Sequence, residues 1–406
     1  MSFTSGDDRW SDVYLVAGSR AVSVCGDFLA ATTLALVLQQ SGHGGLAVAG
    51  LELAASLPLV LLAPITGRIA DRVNSRTVLV AAGAAQALIC LVLAFTSKPL
   101  AIIGLVALLA CGLAVTQPTT AALMPQMVRP ENLARASGLN QTAGVTGMLI
   151  APALAGFLVG QTGPRVPLLI DAASYLAVIV AGLTVRTRRH QQKDEKSEKT
   201  TTYRVRDDRA LVVLTGALAA VITGVGAINV FEIFFIRDTL NASTTVFGLV
   251  AASWPVGMLI GSAGFGRVPR HRITAPALLV ITAVCCVPLL GGAFVANALW
   301  MIPLWILGGT ANGGMNVFYM VIVAGRAPAG AYGRAFAVVN GVLQAAGMFG
   351  LIAAGPLVEH YDPRWLVAAA AATGLLTSLA VLPIVRRETA ADAASDPAPI
   401  PIGNAT

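Results

Sequence analysis

The feature that most constrains this chain is a repeated one: apolar runs of about 20 residues, the length that crosses a bilayer as a helix, recur with charge kept largely to the gaps between them. They lie at roughly 13–38, 46–66, 77–96, 99–121, 137–160 and 166–186, and again at roughly 210–236, 245–265, 274–295, 298–322, 335–357 and 364–385. In hydrocarbon every backbone N–H and C=O must be bonded within the protein, so runs of this kind fold as helices. The solvent follows from composition: 56% of the residues are hydrophobic and only 12% charged, where soluble domains carry about 25% charged. The expected fold class is an all-α membrane protein of twelve transmembrane helices in two pseudo-symmetric six-helix bundles.

A charged stretch from Arg186 to Arg209 separates the two sets of runs and cannot enter hydrocarbon. It divides the chain into an N-terminal half (1–186), a linker (187–209) and a C-terminal half (210–387), followed by an Ala-, Asp- and Pro-rich segment (388–406) expected to be a disordered tail. No signal peptide is apparent, so the first run is expected to stay as the first helix. Lys and Arg set the orientation. Arg9, Arg20, Arg68, Arg72, Arg76, Arg129, Arg135, the linker, Arg267, Arg270, Arg272, Arg326, Arg334, Arg386 and Arg387 fall on one side; only Lys98, Arg165, Arg237 and Arg364 fall on the other. The basic side is expected to be cytoplasmic, with both termini on it, in a multi-pass inner-membrane protein.

The halves also match each other. At an offset of 199 residues, Gly67-Arg68 falls on Gly266-Arg267, Gln117 on Asn316, Arg135-Ala136 on Arg334-Ala335, Gly156 on Gly355 and Pro164-Arg165 on Pro363-Arg364. The polar and Pro matches fall at equivalent loop junctions, which points to a six-plus-six duplication.

Charge inside an apolar run costs several kcal/mol and marks candidate function. Asp27 lies in mid-run 1 and Glu232 in the outer part of run 7; Glu52 is read as nearer the outer interface in run 2. Two roles fit Asp27, proton coupling or partnering a polar group on a neighbouring helix. Glu232 is a coupling or cation-binding candidate, or a hydrated interfacial group. Gln117, Asn229, Asn312 and Asn316 are cavity candidates that equally suit interhelical hydrogen bonds; Asn312 and Asn316 share one face. The five cysteines read as packing residues, and the four histidines lack metal-ligand spacing. No catalytic set, metal site or nucleotide loop is present in the pattern, so no cofactor is expected.

Between runs 2 and 3 stands Gly67-Arg68-Ile69-Ala70-Asp71-Arg72-Val73-Asn74-Ser75-Arg76. It resembles the loop signature of the major facilitator superfamily, keeping Gly67, Asp71, Arg72 and Arg76 and departing at Asn74, usually Gly, and Ser75, usually basic. Asn tolerates positive φ, so the turn survives the first departure. In run 5, Gly138, Gly147, Ala151-Pro152 and Ala155-Gly156 resemble the antiporter signature of drug exporters in that superfamily, with two glycines replaced by alanine. The stretch Met124–Gly160 is similar to the macrolide-efflux and siderophore-export branch.

This resemblance implies the major facilitator fold and alternating access, with Gly67, Asp71, Arg72 and Arg76 as a gating loop and Gly138, Gly147, Pro152 and Gly156 as an antiporter helix motif. It implies proton-coupled efflux of small hydrophobic molecules, with the proton gradient as energy source, no enzyme activity, no nucleic-acid partner and a monomer in the bilayer. An importer or uniporter, or a non-transporting sensor on the same fold, remains open from the residues alone.

Overall fold

A computed structural model describes residues 8–40, 42, 44–63, 65, 66, 73–185, 206, 208–326 and 332–395. Among these there are helices and no strands, and twelve helices are long and apolar enough to cross a membrane. The first half holds α1 (Trp10–Gln40), α2 (Gly44–Leu61), α3 (Ser75–Leu93), α4 (Pro99–Met127), α5 (Leu133–Thr162) and α6 (Arg165–Thr184). The second holds α7 (Arg209–Phe234), α8 (Thr244–Phe265), α9 (Ala275–Gly292), α10 (Met301–Arg326), α11 (Tyr332–His360) and α12 (Pro363–Ser395).

Several helices run past their apolar segments because backbone bonding continues once the chain leaves hydrocarbon. The helical stretch Glu388–Ser395 corrects the expected tail boundary at 388: its Ala-rich sequence favours helix, and Glu388 pairs with Arg209 at 3.2 Å. The linker lies outside the described residues apart from Arg206, Asp208 and Arg209, as do Gly67, Asp71 and Arg72 of the loop motif. Asn74 has φ −59°, not the positive φ expected of it; its side chain instead accepts from the Arg76 N–H at 3.0 Å and caps α3.

The duplication is visible in the packing. In the first half α1 packs on α5 and α6, α3 on α4 and α6, and α2 on α4; the same pairings recur in the second as α7 on α11 and α12, α9 on α10 and α12, and α8 on α10. Small residues set these distances. A side chain at Gly147 on α5 would press into the α1 backbone, its first carbon 2.5 Å from the Ala21 carbonyl oxygen and 2.8 Å from the Cys25 nitrogen.

Two pairs, α5 with α8 and α2 with α11, make most of the contact between halves. Among the described residues, the close contacts between the halves lie away from the basic end. Gly156 abuts Thr244 and Gly248, and its repeat-equivalent Gly355 abuts Leu46 and Ala49. Gln39 Nε2 donates to Asp238 Oδ1 at 2.7 Å, and the Leu46 N–H donates to Glu359 at 3.3 Å. Nearer the basic end on the same helices, Gly138, Gly264 and Gly341 face open space. Among the described residues, the halves therefore meet at the opposite end and lie apart toward the basic end.

At the basic end, Asp208 caps α7 by accepting from the Leu211 N–H at 2.9 Å and takes two hydrogen bonds from Arg326 of α10, at 2.7 and 2.9 Å. Both side chains are largely shielded. Asp208→Ala removes a cap and a forked ion pair together, and is expected to cost about 1–3 kcal/mol, read as a lower midpoint in detergent thermal unfolding. On the same end, the Arg129 backbone N–H, at 2.8 Å, holds the Asp8 carboxyl below the usual carboxylate range, helped by the Arg129 and Asn132 side chains.

Candidate substrate cavity and buried carboxylates

Between the halves lies a cavity of about 450 Å³. Phe28 and Thr32 of α1, Glu52 of α2 and Met148 and Pro152 of α5 wall it from one side; Asn229 and Glu232 of α7, Trp254 of α8 and Trp305 of α10 wall it from the other. Its lining is mainly apolar and aromatic, with few polar groups to fix an orientation, which is the usual make-up of a small-molecule site. Glu232 is held in place: the indole N–H of Trp305, itself only 2% exposed, donates to Glu232 Oε1 at 3.0 Å.

Glu52 corrects the sequence-based reading. It sits at the middle of α2 (Gly44–Leu61) and lines the cavity. Two carboxylates, one from each half, thus face the same space.

Asp27 faces elsewhere. Its neighbour Phe28 lines the central cavity, while Asp27 lines a small chamber of about 70 Å³ inside the first half, with Arg20, Ser23, Gln86, Thr116 and Gln117. The Tyr175 hydroxyl of α6 donates to Asp27 Oδ1 at 2.5 Å. One turn before Tyr175 stands Asp171, 0% exposed, which accepts from the Cys90 thiol of α3 at 2.9 Å and from the Ser174 hydroxyl at 3.3 Å. Asp171 and Ser174 press on the α1 backbone at Gly26, where any side chain would collide with them.

The other candidates separate. Asn229 lines the central cavity and Gln117 the small chamber. Asn316 Nδ2 donates to Asn312 Oδ1 at 3.4 Å, so these two bond along one helix face and neither lines the central cavity. Of the helix motif, Gly147 receives α1, Pro152 lines the cavity, Gly156 receives α8, and Gly138 is exposed with nothing against it. No cluster of potential metal ligands occurs among the described residues.

Asp171 escaped the sequence reading although it interrupts the apolar run Leu168-Leu169-Ile170-Asp171-Ala172-Ala173; that interruption was its signal. Arg20, counted with the basic loop, lies within α1 and is half-buried.

A family model described as transmembrane secretion effector, of the major facilitator superfamily, matches residues 15–402. The chain is 24% identical over 358 residues to the uncharacterized MFS-type transporter YfiS of Bacillus subtilis (strain 168), covering 84% of this chain and 85% of that protein. Its fold is similar to that of the nucleoside transporter NupG (TM-score 0.73, 15% identity, 92% of this chain and 99% of the other). It is similar also to a bacterial homologue of the iron transporter ferroportin in an inward-facing state (TM-score 0.72, 17% identity, 93% and 98%). A bacterial homologue of the human lysosomal transporter Spinster, inward-facing and unoccupied, gives a TM-score of 0.68 at 14% identity, covering 95% and 96%.

Proposed function

This chain belongs to the transmembrane secretion effector family of the major facilitator superfamily and is a multi-pass secondary transporter of small molecules; on that premise we propose that it exports small hydrophobic or weakly basic molecules in exchange for protons. The observation that carries this reading is the central cavity, whose about 450 Å³ suits a drug-sized ligand. Its aromatic walls with Glu232 suit a lipophilic cation, which an aromatic face and a carboxylate attract together.

The basic end is cytoplasmic by the positive-inside rule, in the cell membrane, so the halves are open to the cytoplasm and closed outside, ready to load an export substrate. Substrate binds near the midplane, the halves rock about the α2–α11 and α5–α8 contacts, and the cavity opens outward. Protons entering down their gradient reset the carrier, with Asp27 as the titrating group and Glu232 as the cation-binding one. The protein works as a monomer, without cofactor or nucleic acid. The word "secretion" in the family's description and the small-residue pattern of α5 favour export over import.

The test is accumulation of a fluorescent hydrophobic cation in efflux-deficient cells, with and without a protonophore. Export predicts lower accumulation than in vector controls, restored by the protonophore. Accumulation equal to vector across a panel of lipophilic substrates would sink the broad-export reading, and higher accumulation would make the chain an importer.

A further inference from the structure

The chamber beside Asp27 has features that packing alone does not account for. Gln86 of α3 is 1% exposed, lines the chamber, and leaves both its amide oxygen and its amide nitrogen without a hydrogen-bond partner among the described residues. Arg20 lines the same space, its Nε also buried and unpartnered. A buried amide with two unmade bonds costs several kcal/mol unless something polar meets it. The chamber's about 70 Å³ admits a few waters and falls far short of the ~300 Å³ of a small drug pocket. Of its lining residues, Gln117 of α4 is exposed while Ser23, Gln86 and Thr116 are buried.

The charges around it are also specific. Asp27 on α1 and Asp171 on α6 are brought together by the close approach at Gly26, and Tyr175 reaches from one turn beyond Asp171 to Asp27. Cys90 of α3 donates to Asp171, and Cys25 is the neighbouring thiol on α1. From α4 the chamber receives Leu113, Thr116, Gln117 and Thr120, none of them charged, and Glu52 and Glu232 face the other cavity. With Arg20 cationic, the set is neutral when its two carboxylates hold one proton between them and carries one uncompensated negative charge when they hold none. In low dielectric that difference is large.

We propose that this chamber is the transporter's proton site, with Asp27 in its wall, Asp171 packed behind Asp27 and sharing its proton, and water held by Gln86 and Arg20, and that it is physically separate from the cavity that takes the substrate. The Arg20 guanidinium in the wall disfavours a metal cation, so the site selects a proton over sodium. Tyr175 positions Asp27, and coupling between the two sites runs through α1, which carries Asp27 on one face and Phe28 on another. This rests on the reading of the chain as a proton-driven exporter.

The experiment uses the full chain in liposomes with imposed pH or sodium gradients, reading transport of the fluorescent cation and internal pH together. In the unaltered protein a pH gradient drives transport and a sodium gradient does not. Asp171→Asn and Gln86→Leu each lower pH-driven transport by about tenfold or more and flatten its dependence on pH, as loss of an intramembrane coupling charge or its hydration requires. Each variant is checked for folding by thermal unfolding; Gln86→Leu changes no charge and keeps the test valid where Asp171→Asn fails to fold. If the unaltered protein responds to the pH gradient and the folded variants match it, the chamber is not the proton site, and the exporter reading survives. Sodium-driven transport overturns the proton assignment; transport indifferent to both gradients overturns the exporter reading and this site with it.

Discussion

Glu232→Gln is expected to weaken binding of a lipophilic cation by about ten- to 150-fold while leaving a neutral substrate of similar shape nearly unaffected. The reason lies in the local geometry. Glu232 is the anionic group that α7 presents to the central cavity, one oxygen accepts from the Trp305 indole at 3.0 Å, and the walls around it are aromatic and apolar. A hydrogen bond or ion contact to a charged group contributes about 1.5–3 kcal/mol, which converts to the stated range. Glutamine keeps the volume and can still accept from Trp305, so the variant isolates charge from shape. Fluorescence titration of the purified variant with a matched cationic and neutral pair is the measurement. Equal loss for both ligands would mean that Glu232 shapes the cavity without recognising charge. Loss for neither would place the binding site elsewhere.

The second large effect concerns the closed end. Gly156→Val is expected to force α5 and α8 apart and shift the carrier toward the state open at the end opposite the basic one. A side chain at 156 would meet the Thr244 carbonyl and lie 3.0 Å from the Gly248 Cα. These are backbone atoms, so the clash cannot be relieved by turning a rotamer. Overpacking at such a contact costs about 1–3 kcal/mol, enough to change the ratio of the two states by about five- to 150-fold. Spin-label distances between α5 and α8 near residues 160 and 244 read this directly: a longer population should grow in the variant. Gly355→Val, the repeat-equivalent change against Leu46 and Ala49, should do the same on the α2–α11 side. An unchanged distance distribution in both folded variants would mean that these glycines do not set the gate.

The equivalence of Gly156 and Gly355 shows how far the sequence reached. Their offset of 199 residues was one match among several, and the structure makes them counterparts at the two contacts between halves. Gln39 and Asp238 stand at the same offset and bond to one another across the interface. That contact was invisible beforehand because Gln and Asp do not resemble each other and only folding brings them together. Asn74 illustrates a different shortfall. The substitution for Gly was read as a tolerated backbone conformation, and it proved to be a helix cap with ordinary φ; the two uses of Asn in a turn have similar sequence signals.

By itself the sequence determined the number of crossings, the division into two related halves and the end that collects positive charge. These follow from transfer free energies that add along the chain residue by residue, so a linear reading captures them. Only the tertiary structure decided which polar groups share a space. It put Glu52 with Glu232 and Trp305, and set Asp27 apart with Asp171, Tyr175 and Gln86. It also decided which end is closed. Both depend on the rotation and crossing of helices packed through glycine contacts, and at a helix surface a neighbour one residue away can face a different compartment, as Asp27 and Phe28 do.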